Sequence, residues 1–520
     1  MKTVLLALTS SVFFPLALPN EILLFGSPLL GLVALSPLYA AFVLAPDRRT
    51  AIIAGIIFGA ISTALGNFWL ANFGDFSVWT LGGPIVGYIG YNWLLALALY
   101  AVTRLRTDLR PLLFASVWTA YEFLKSIGYL GYPWGLAAYP FADLVVFTQI
   151  ADLTGVYGVT FVAVYLQSLA GEAVLRFSHQ EPDSHRVTYR HAVFALILVL
   201  LVAMYGVMRL NDQPVTDTRL RVALVQQNSD SWEIGNEEQT LQTLIRLSQD
   251  ALRRYDPDLL IWSETSLRLP YVTYADSWFE RVPQDVSIRD FLRDSPVPLL
   301  TGSPYLPHGR GGIAWNASML LEPDGNVSAV YGKRQLVPFA ESVPFWEWEP
   351  MQRFYLEMVG IQAVWEPGDR MTIFEIPGRD GPVYAATPIC FEDAFAGVVR
   401  AFHRAGAEVL LNLTNNAWSE TDSAQTQHFT AARFRSIETR LPLVRSTNAG
   451  LTSIVDRHGR LQDSIPMFEE GVVFAEVPIY RGQGLTVYST VGDVFAVGML
   501  GITIASIFGF FVKLRRNEGL

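Results

Sequence analysis

Apolar runs of bilayer-crossing length occupy residues 4–18, 22–43, 51–70, 81–102, 112–124, 156–175 and 191–207, and one more, 494–512, follows a long stretch of mixed polar sequence. Such a pattern leaves few folds open, because a segment in lipid must satisfy its backbone polar groups internally and does so as a helix. A polytopic α-helical bundle of about eight spans is expected. The fifth run is the shortest and carries Glu122, either a functional intramembrane acid or a residue at the interface. Hydrophobic residues make up 51% of the chain and charged residues 17%, which excludes an ordinary soluble protein. A net charge of −10, with no basic stripe interleaved with aromatics, argues against nucleic acid as a partner. Seven scattered His and one Cys give no zinc spacing, so neither a metal nor a cofactor is implied.

The basic residues set an orientation. Lys2 precedes the first run, Arg48 and Arg49 follow the second, and Arg104, Arg106 and Arg110 follow the fourth. Arg176, Arg186 and Arg190 follow the sixth, and Lys513, Arg515 and Arg516 the eighth. If every run spans, all fall on one side, which the positive-inside rule makes cytoplasmic. Dropping the fifth run would break that alternation. The first run lacks a small-x-small cleavage site at Ala17-Leu18-Pro19-Asn20 and is expected to be a retained helix rather than a signal peptide. The expected domains are therefore a seven-span bundle over residues 1–210, an extracytoplasmic domain over 211–490, and a closing span with a cytoplasmic tail over 491–520, with both termini cytoplasmic.

The middle segment has α/β character. Residues 219–227 and 258–262 are strand-like, and between them Asn236 is placed to cap a helix with Leu241, Leu244, Ile245 and Leu252 on its apolar side. Residues 314–321 and 327–331 flank Glu322-Pro323-Asp324-Gly325-Asn326, a hairpin with strong turn chemistry. Further strands are expected at 383–386, 408–413 and 452–455, the last opening a hairpin through Asp456-Arg457-His458-Gly459. The Asn316 and Asn326 glycosylation sequons fall in or beside the first hairpin and are discounted.

Cys390, the only cysteine, lies in Thr387-Pro388-Ile389-Cys390-Phe391-Glu392-Asp393, after a short apolar strand. Phe395, Val398, Val399 and Phe402 then recur with the period of one helix face, and Gly406 is a natural stop. Cys390 is thus expected in a sharp strand-to-helix turn, where a helix N-terminus favours a thiolate. A nucleophilic Cys needs a base or a lowered pKa, and no His stands in a convincing motif beside it. Glu264, at the end of the apolar 259–262 strand, is a candidate base. Lys333, where the second hairpin strand runs out, can hold a thiolate or oxyanion by its charge. Glu341 can orient Lys333 and offset its buried charge.

Trp262-Ser263-Glu264, then Tyr331-Gly332-Lys333 through Phe339-Ala340-Glu341, then Ile389-Cys390-Phe391-Glu392 resemble, in that order, the Glu-Lys-Cys triad of the nitrilase (carbon–nitrogen hydrolase) superfamily. With the flanking apolar runs, nearly the whole chain resembles the apolipoprotein N-acyltransferases, and Tyr132-Pro133-Trp134-Gly135, Asn415-Asn416-Ala417-Trp418 and Ser446-Thr447-Asn448-Ala449-Gly450 also fit. The resemblance implies an αββα sandwich in which Glu264 is the general base, Lys333 the oxyanion partner and Cys390 the nucleophile that becomes a thioester. It also implies supporting roles for Glu341 and Glu392 and substrate contacts from Trp418, Phe391 and Trp232, the last in a poorly matching context; Trp348 is a candidate contact from the aromatic stretch in which it lies. Ala340 and Phe391 stand where the family often has Gly and Tyr, so a tyrosine hydroxyl is missing.

The implied reaction moves an acyl chain from a membrane phospholipid, commonly the sn-1 chain of phosphatidylethanolamine, to the N-terminal amine of a diacylglyceryl-Cys apolipoprotein. Its implied setting is the lipid bilayer of a Gram-negative inner membrane, as a monomer, with an apolar pocket keeping water from the thioester. Phe345, Trp346, Trp348, Met351, Phe354, Tyr355 and Met358 could form a lipid-contacting lid, and residues 129–139 could approach the pocket. The alternatives are a membrane-anchored amidase, which would not need eight spans, and a lipoprotein-binding scaffold, which would not need an intact triad.

Overall fold

The computed structural model describes residues 1–73, 77–106, 108–179, 184–230, 233, 235–274, 288–309, 312–359 and 365–518. The chain divides into two compact units, Met1–Asp212 with Val491–Leu520, and Gln213–Thr490.

Among the described residues of the first unit, five helices are long and apolar enough to cross a membrane: Arg48–Gly66, Val78–Leu105, Val156–Arg176, Tyr189–Leu210 and Val494–Arg516. They take up five of the eight expected runs. The other three fall in shorter helices, for local reasons. The 22–43 run is broken into Pro28–Gly31 and Ser36–Leu44, each with a proline in its opening turn, and Gly26 before them has φ +78°. The first run forms Lys2–Ala17 around Pro15, and the fifth forms Arg110–Lys125. A helix of their 16 residues is about 24 Å long, short of a hydrocarbon core of about 30 Å. Val145–Thr154, which the sequence did not single out, is a further short apolar segment.

Small residues bring these helices together. A Cβ on Gly55 would lie 2.6 Å from Ala96 Cβ, and one on Gly59 would lie 2.4 Å from the Asn92 side chain. Glu122 is fully buried and accepts hydrogen bonds from Trp118 Nε1 (2.9 Å), the Ala137 N–H (2.8 Å) and Thr160 Oγ1 (2.7 Å). Its carboxyl group ties the Arg110–Lys125 helix to residues 137 and 160. In the 129–139 segment, Tyr132 stacks on Trp134 at 5.3 Å and donates to Asn67 Oδ1, while Lys125 Nζ donates to Trp134 O at 2.8 Å.

The second unit is built on two six-stranded sheets. The strands are β1 Thr218–Gln226, β2 Leu259–Ile261, β3 Leu299–Tyr305, β4 Trp315–Leu321, β5 Val327–Gly332, β6 Phe374–Ile376, β7 Val383–Ala386, β8 Val409–Thr414, β9 Leu443–Thr447, β10 Ser453–Val455, β11 Leu461–Ser464 and β12 Gly471–Ile479. One sheet has the order β12-β1-β2-β3-β4-β5, the other β11-β10-β9-β8-β7-β6. In each, a parallel core (β1-β2-β3 and β7-β8-β9) is extended by antiparallel strands.

Strand alternation assigns the layers. Leu220, Val222 and Leu224 of β1 join Leu411, Leu413 and Val444 in one apolar core between the sheets. Ala223 and Val225 face the other way, onto Leu241, Leu244 and Ile245 of the amphipathic helix Glu237–Arg254. Val399 and Phe402 of the helix Ala396–Arg404, with Phe429 and Ala432 of Asp422–Thr439, pack against the second sheet. The result is the expected helix–sheet–sheet–helix order. Asn236 precedes its helix but makes no cap; its Nδ2 donates to Asp230 O at 3.0 Å instead.

Candidate active site

Glu264, Lys333 and Cys390 each follow the end of a strand, where the backbone is released from the ladder but still fixed by it. Glu264 comes after β2 and before Thr265, whose φ is +51°. Behind this turn, a Cβ on Gly302 would lie 2.3 Å from Thr265 N, so only glycine lets β3 pass so close. Lys333 leaves β5 with its N–H bound to Asn316 O (2.8 Å) and its carbonyl to Gly368 N (2.9 Å).

Cys390 has φ +49°, a left-handed backbone that costs a non-glycine residue roughly 1–3 kcal/mol. It opens a single 3₁₀ turn, Cys390–Ala394; the α-helix begins only at Ala396. The expected strand-to-helix turn is present, but what starts at the thiol is one 3₁₀ turn rather than the α-helix, because Phe395 is extended and interrupts the helical run. Charge near the sulfur comes from side chains instead.

Those side chains form one network. Lys333, almost fully buried, lies 2.8 Å from Glu341 Oε1 and 3.4 Å from Glu264 Oε1. Burial would lower the lysine pKa, but the charges of Glu341 and Glu264 outweigh it and hold the ammonium well above its usual value. Glu264 also accepts from Asn415 N–H at 2.8 Å, and Glu341 from Val337 N–H at 2.8 Å. Asn316 Nδ2 bridges the two acids, 2.7 Å from Glu264 and 3.0 Å from Glu341. The sequence reading dismissed Asn316 as part of a sequon; it is a buried clamp on β4, and only its pairing next to β5 reveals this. Burial pushes the Cys390 thiol well above its usual pKa, the Glu264 charge adds to the rise and Lys333 opposes it.

Glu392 acts as a strut, bound mainly by backbone N–H groups. Its Oε1 accepts from Tyr331 OH (2.9 Å), Arg334 N–H (2.8 Å) and Gln335 N–H (3.0 Å), and its Oε2 from Ile389 N–H (2.8 Å). It thereby ties the cysteine turn to the strand end that carries Lys333. Burial raises its pKa, and the backbone N–H groups of Ile389, Gln335 and Arg334 pull the other way.

The expected aromatic contacts divide. Phe391 packs edge-on against Phe395 at 4.7 Å, Trp418 is half-buried two residues beyond Asn416, and Trp348 is 59% exposed. Trp232 lies outside the described residues. In the lid candidate, Val343 and Tyr355 form a small core with Trp346 and Met351, leaving Phe345, Trp348 and Phe354 exposed; the Met358 side chain is outside the described set.

Comparison with known proteins bears on the whole chain. Residues 221–484 match the carbon-nitrogen hydrolase family, and residues 10–169 match the apolipoprotein N-acyltransferase N-terminal domain. Apolipoprotein N-acyltransferase 2 of Treponema denticola is 37% identical over 519 residues, which cover 98% of this chain and 97% of that protein. This chain belongs to the apolipoprotein N-acyltransferase family. The protein of the same name from Treponema pallidum is 38% identical over 91% of this chain and 88% of its own. Among solved structures, an amidase from Nesterenkonia sp. is 17% identical, matching 51% of this chain and 93% of that one with a TM-score of 0.36.

Proposed function

We propose that this family member is a membrane enzyme that moves an acyl chain from a phospholipid to the N-terminal amine of a diacylglyceryl-Cys apolipoprotein, through a thioester on Cys390. The observation that carries the reading is Lys333 held between Glu264 and Glu341, in a network whose charges act on the chain's one thiol.

In the first half-reaction Glu264 takes the Cys390 proton as sulfur attacks the ester carbon. The new oxyanion is held by the Lys333 ammonium. Collapse breaks the carbon–oxygen bond, and Glu264 returns the proton to the departing lysophospholipid oxygen. In the second half the lipoprotein amine attacks the thioester, Glu264 accepts its proton and passes it to the sulfur, and the amide leaves. Throughout, the two carboxylates, the ammonium and the reacting atoms keep a single net negative charge, since each step moves a proton or an electron pair within the group. A buried site can run such a cycle without drawing in counter-ions or water. Glu341 holds Lys333 in place while Glu264 titrates.

The donor we propose is phosphatidylethanolamine, the protein acts as a monomer, and no cofactor takes part. Eight spans, three of them short, would place Gln213–Thr490 on the extracytoplasmic side of a Gram-negative inner membrane with both termini cytoplasmic. Support comes from the basic residues, which fall on one side under that count.

Intact-mass analysis after incubation with phospholipid vesicles alone tests the scheme. The expected result is one acyl chain added to the protein, absent in Cys390→Ala and lost on adding a diacylglyceryl peptide. Absence of the adduct together with hydrolysis of small amides would make the protein a membrane-anchored hydrolase instead.

A further inference from the structure

Beside Cys390 lies a second buried polar network that the acyl-transfer scheme does not use, near enough to Glu264 for that charge to act on its histidine. Asp393, in the cysteine turn, accepts from His428 Nε2 at 2.7 Å through one oxygen and from Arg445 Nε at 3.2 Å through the other. Arg445 Nη2 and Asn416 Nδ2 both lie 2.9 Å from His428 Nδ1. Asn416 Oδ1 in turn lies 4.0 Å from Cys390 Sγ, at the limit for a thiol hydrogen bond. The four side chains come from the cysteine turn, the segment after β8, the helix Asp422–Thr439 and β9, and none is more than 5% exposed.

Their chemistry assigns the histidine proton. A guanidinium has no acceptor, so His428 Nδ1, facing Arg445 Nη2, must be unprotonated and must accept. The imidazole is then neutral, with its proton on Nε2 and directed at Asp393. Burial, the largest influence, lowers the His428 pKa; the Asp393 charge works against that and the Arg445 charge with it. Nδ1 has one lone pair, which the Arg445 and Asn416 donors share; an amide oxygen turned toward it would meet that lone pair, so Asn416 keeps its NH2 toward the ring and its oxygen toward the sulfur. Arginine thus sets the histidine tautomer, and the tautomer sets the amide.

We propose that Asp393, Arg445 and His428 are positioning residues that lock the Asn416 amide with its oxygen toward Cys390, so that the resting nucleophile is held as an oriented, protonated thiol until the base removes its proton. A free amide could rotate and offer N–H donors to the sulfur, stabilising an exposed thiolate that any electrophile could consume. With the carbonyl outward, the resting S–H has an acceptor in Asn416 Oδ1 and turns from it to Glu264, by rotation about the Cβ–Sγ bond, when the proton is taken. The proposal rests on the acyl-transfer reading only for the identity of the substrate.

The test compares His428→Leu, which removes the acceptor, with His428→Asn, whose Oδ1 can stand where Nδ1 stood. Iodoacetamide alkylation of Cys390 is followed against pH in the full-length protein, and acyl-enzyme formation from phospholipid vesicles is timed separately. Glu264, Lys333, Glu341 and Asp393, the charged groups that act on the sulfur, are unchanged in both variants. In His428→Leu the alkylation midpoint is expected to fall by about one pH unit and acylation to slow by about tenfold or more; His428→Asn should restore both to within about threefold. An unaltered alkylation profile in His428→Leu, or no rescue by His428→Asn, overturns the proposal.

Should His428→Leu fail to fold, Asn416→Leu asks the same question, since it keeps the side-chain shape and removes the amide oxygen that faces the sulfur. Its alkylation midpoint should fall, and a midpoint that stays or rises counts against the lock. If the unaltered protein forms no acyl adduct, the acyl-transfer reading fails, while the alkylation comparison still decides the positioning network.

Discussion

Glu264→Gln separates a base that waits for substrate from one that has already taken the thiol proton. The substitution keeps the side-chain shape but removes a charge 3.4 Å from Lys333 Nζ. At an effective dielectric constant of about 20, that contact corresponds to a Coulomb attraction of about 5 kcal/mol. With the carboxylate gone, Lys333 keeps Glu341 at 2.8 Å, and part of its field is freed to act on Cys390. The repulsion between Glu264 and a thiolate also disappears, and both changes lower the thiol pKa. Redirecting about a quarter of that energy moves it by about one unit, or tenfold in thiolate at a pH below the pKa.

Acyl transfer should move the opposite way, falling by roughly 10²–10⁴-fold for loss of a general base. Folding should survive. Gln can accept from Asn316 and Lys333 but then turns its NH2 toward the Asn415 N–H, and one buried unpaired donor costs about 1–3 kcal/mol. The assay is iodoacetamide alkylation from about pH 6 to 10 read by intact mass, alongside single-turnover acylation by phospholipid vesicles. Faster alkylation with slower acylation is expected. If the two rates fall together, or alkylation does not change, the resting thiol is not under the influence of Glu264 and the reasoning fails.

Asn316→Leu removes the donor shared by Glu264 and Glu341, leaving two carboxylates to repel one another across Lys333; kcat should fall by roughly 10–100-fold, with a stability loss of about 1–3 kcal/mol measured by denaturant titration. Gly302→Ala should abolish turnover by forcing Glu264 away, since its Cβ would lie 2.7 Å from Glu264 Cα, whereas Gly397→Ala, with nothing within 4 Å, should leave kcat unchanged and slightly raise the unfolding temperature. Replacing Trp348 and Met351 together by Ser should slow phospholipid turnover in vesicles without changing the circular dichroism spectrum, and unchanged turnover would remove the lid idea.

What the sequence disclosed and what it hid follow one physical division. Glu264, Lys333, Glu341 and Cys390 stood out only as a set, because a lone strand-end Glu or Lys is usually a solvated surface residue and only their order along the chain points to a shared site; the structure brings Glu264, Lys333 and Glu341 into one network. The strands were legible for the same reason that β1 works: Leu220, Val222 and Leu224 serve one layer while Ala223 and Val225 serve the next. Helix length was less so. Hydropathy sees residues 22–43 as one run, but prolines at helix openings divide it, a matter of backbone geometry that a sum over side chains does not register.

Hidden altogether were the residues whose meaning lies in a partner far along the chain. Asn316 acquires a role only when β4 pairs with β5 and brings it beside acids at positions 264 and 341. Arg445 looks like an ordinary strand residue until the second sheet sets β9 against β8 and the helix above it supplies His428. The two networks meet at Cys390 with opposed effects. Lys333, tethered between two carboxylates, favours the charged sulfur once a substrate is present to share that charge. The Asn416 oxygen, fixed by a neutral histidine, favours the protonated sulfur while no substrate is there. On the proposed scheme a half-buried thiol with a raised pKa is what this site needs at rest, since a standing thiolate would leave the chain's one cysteine open to modification between turnovers.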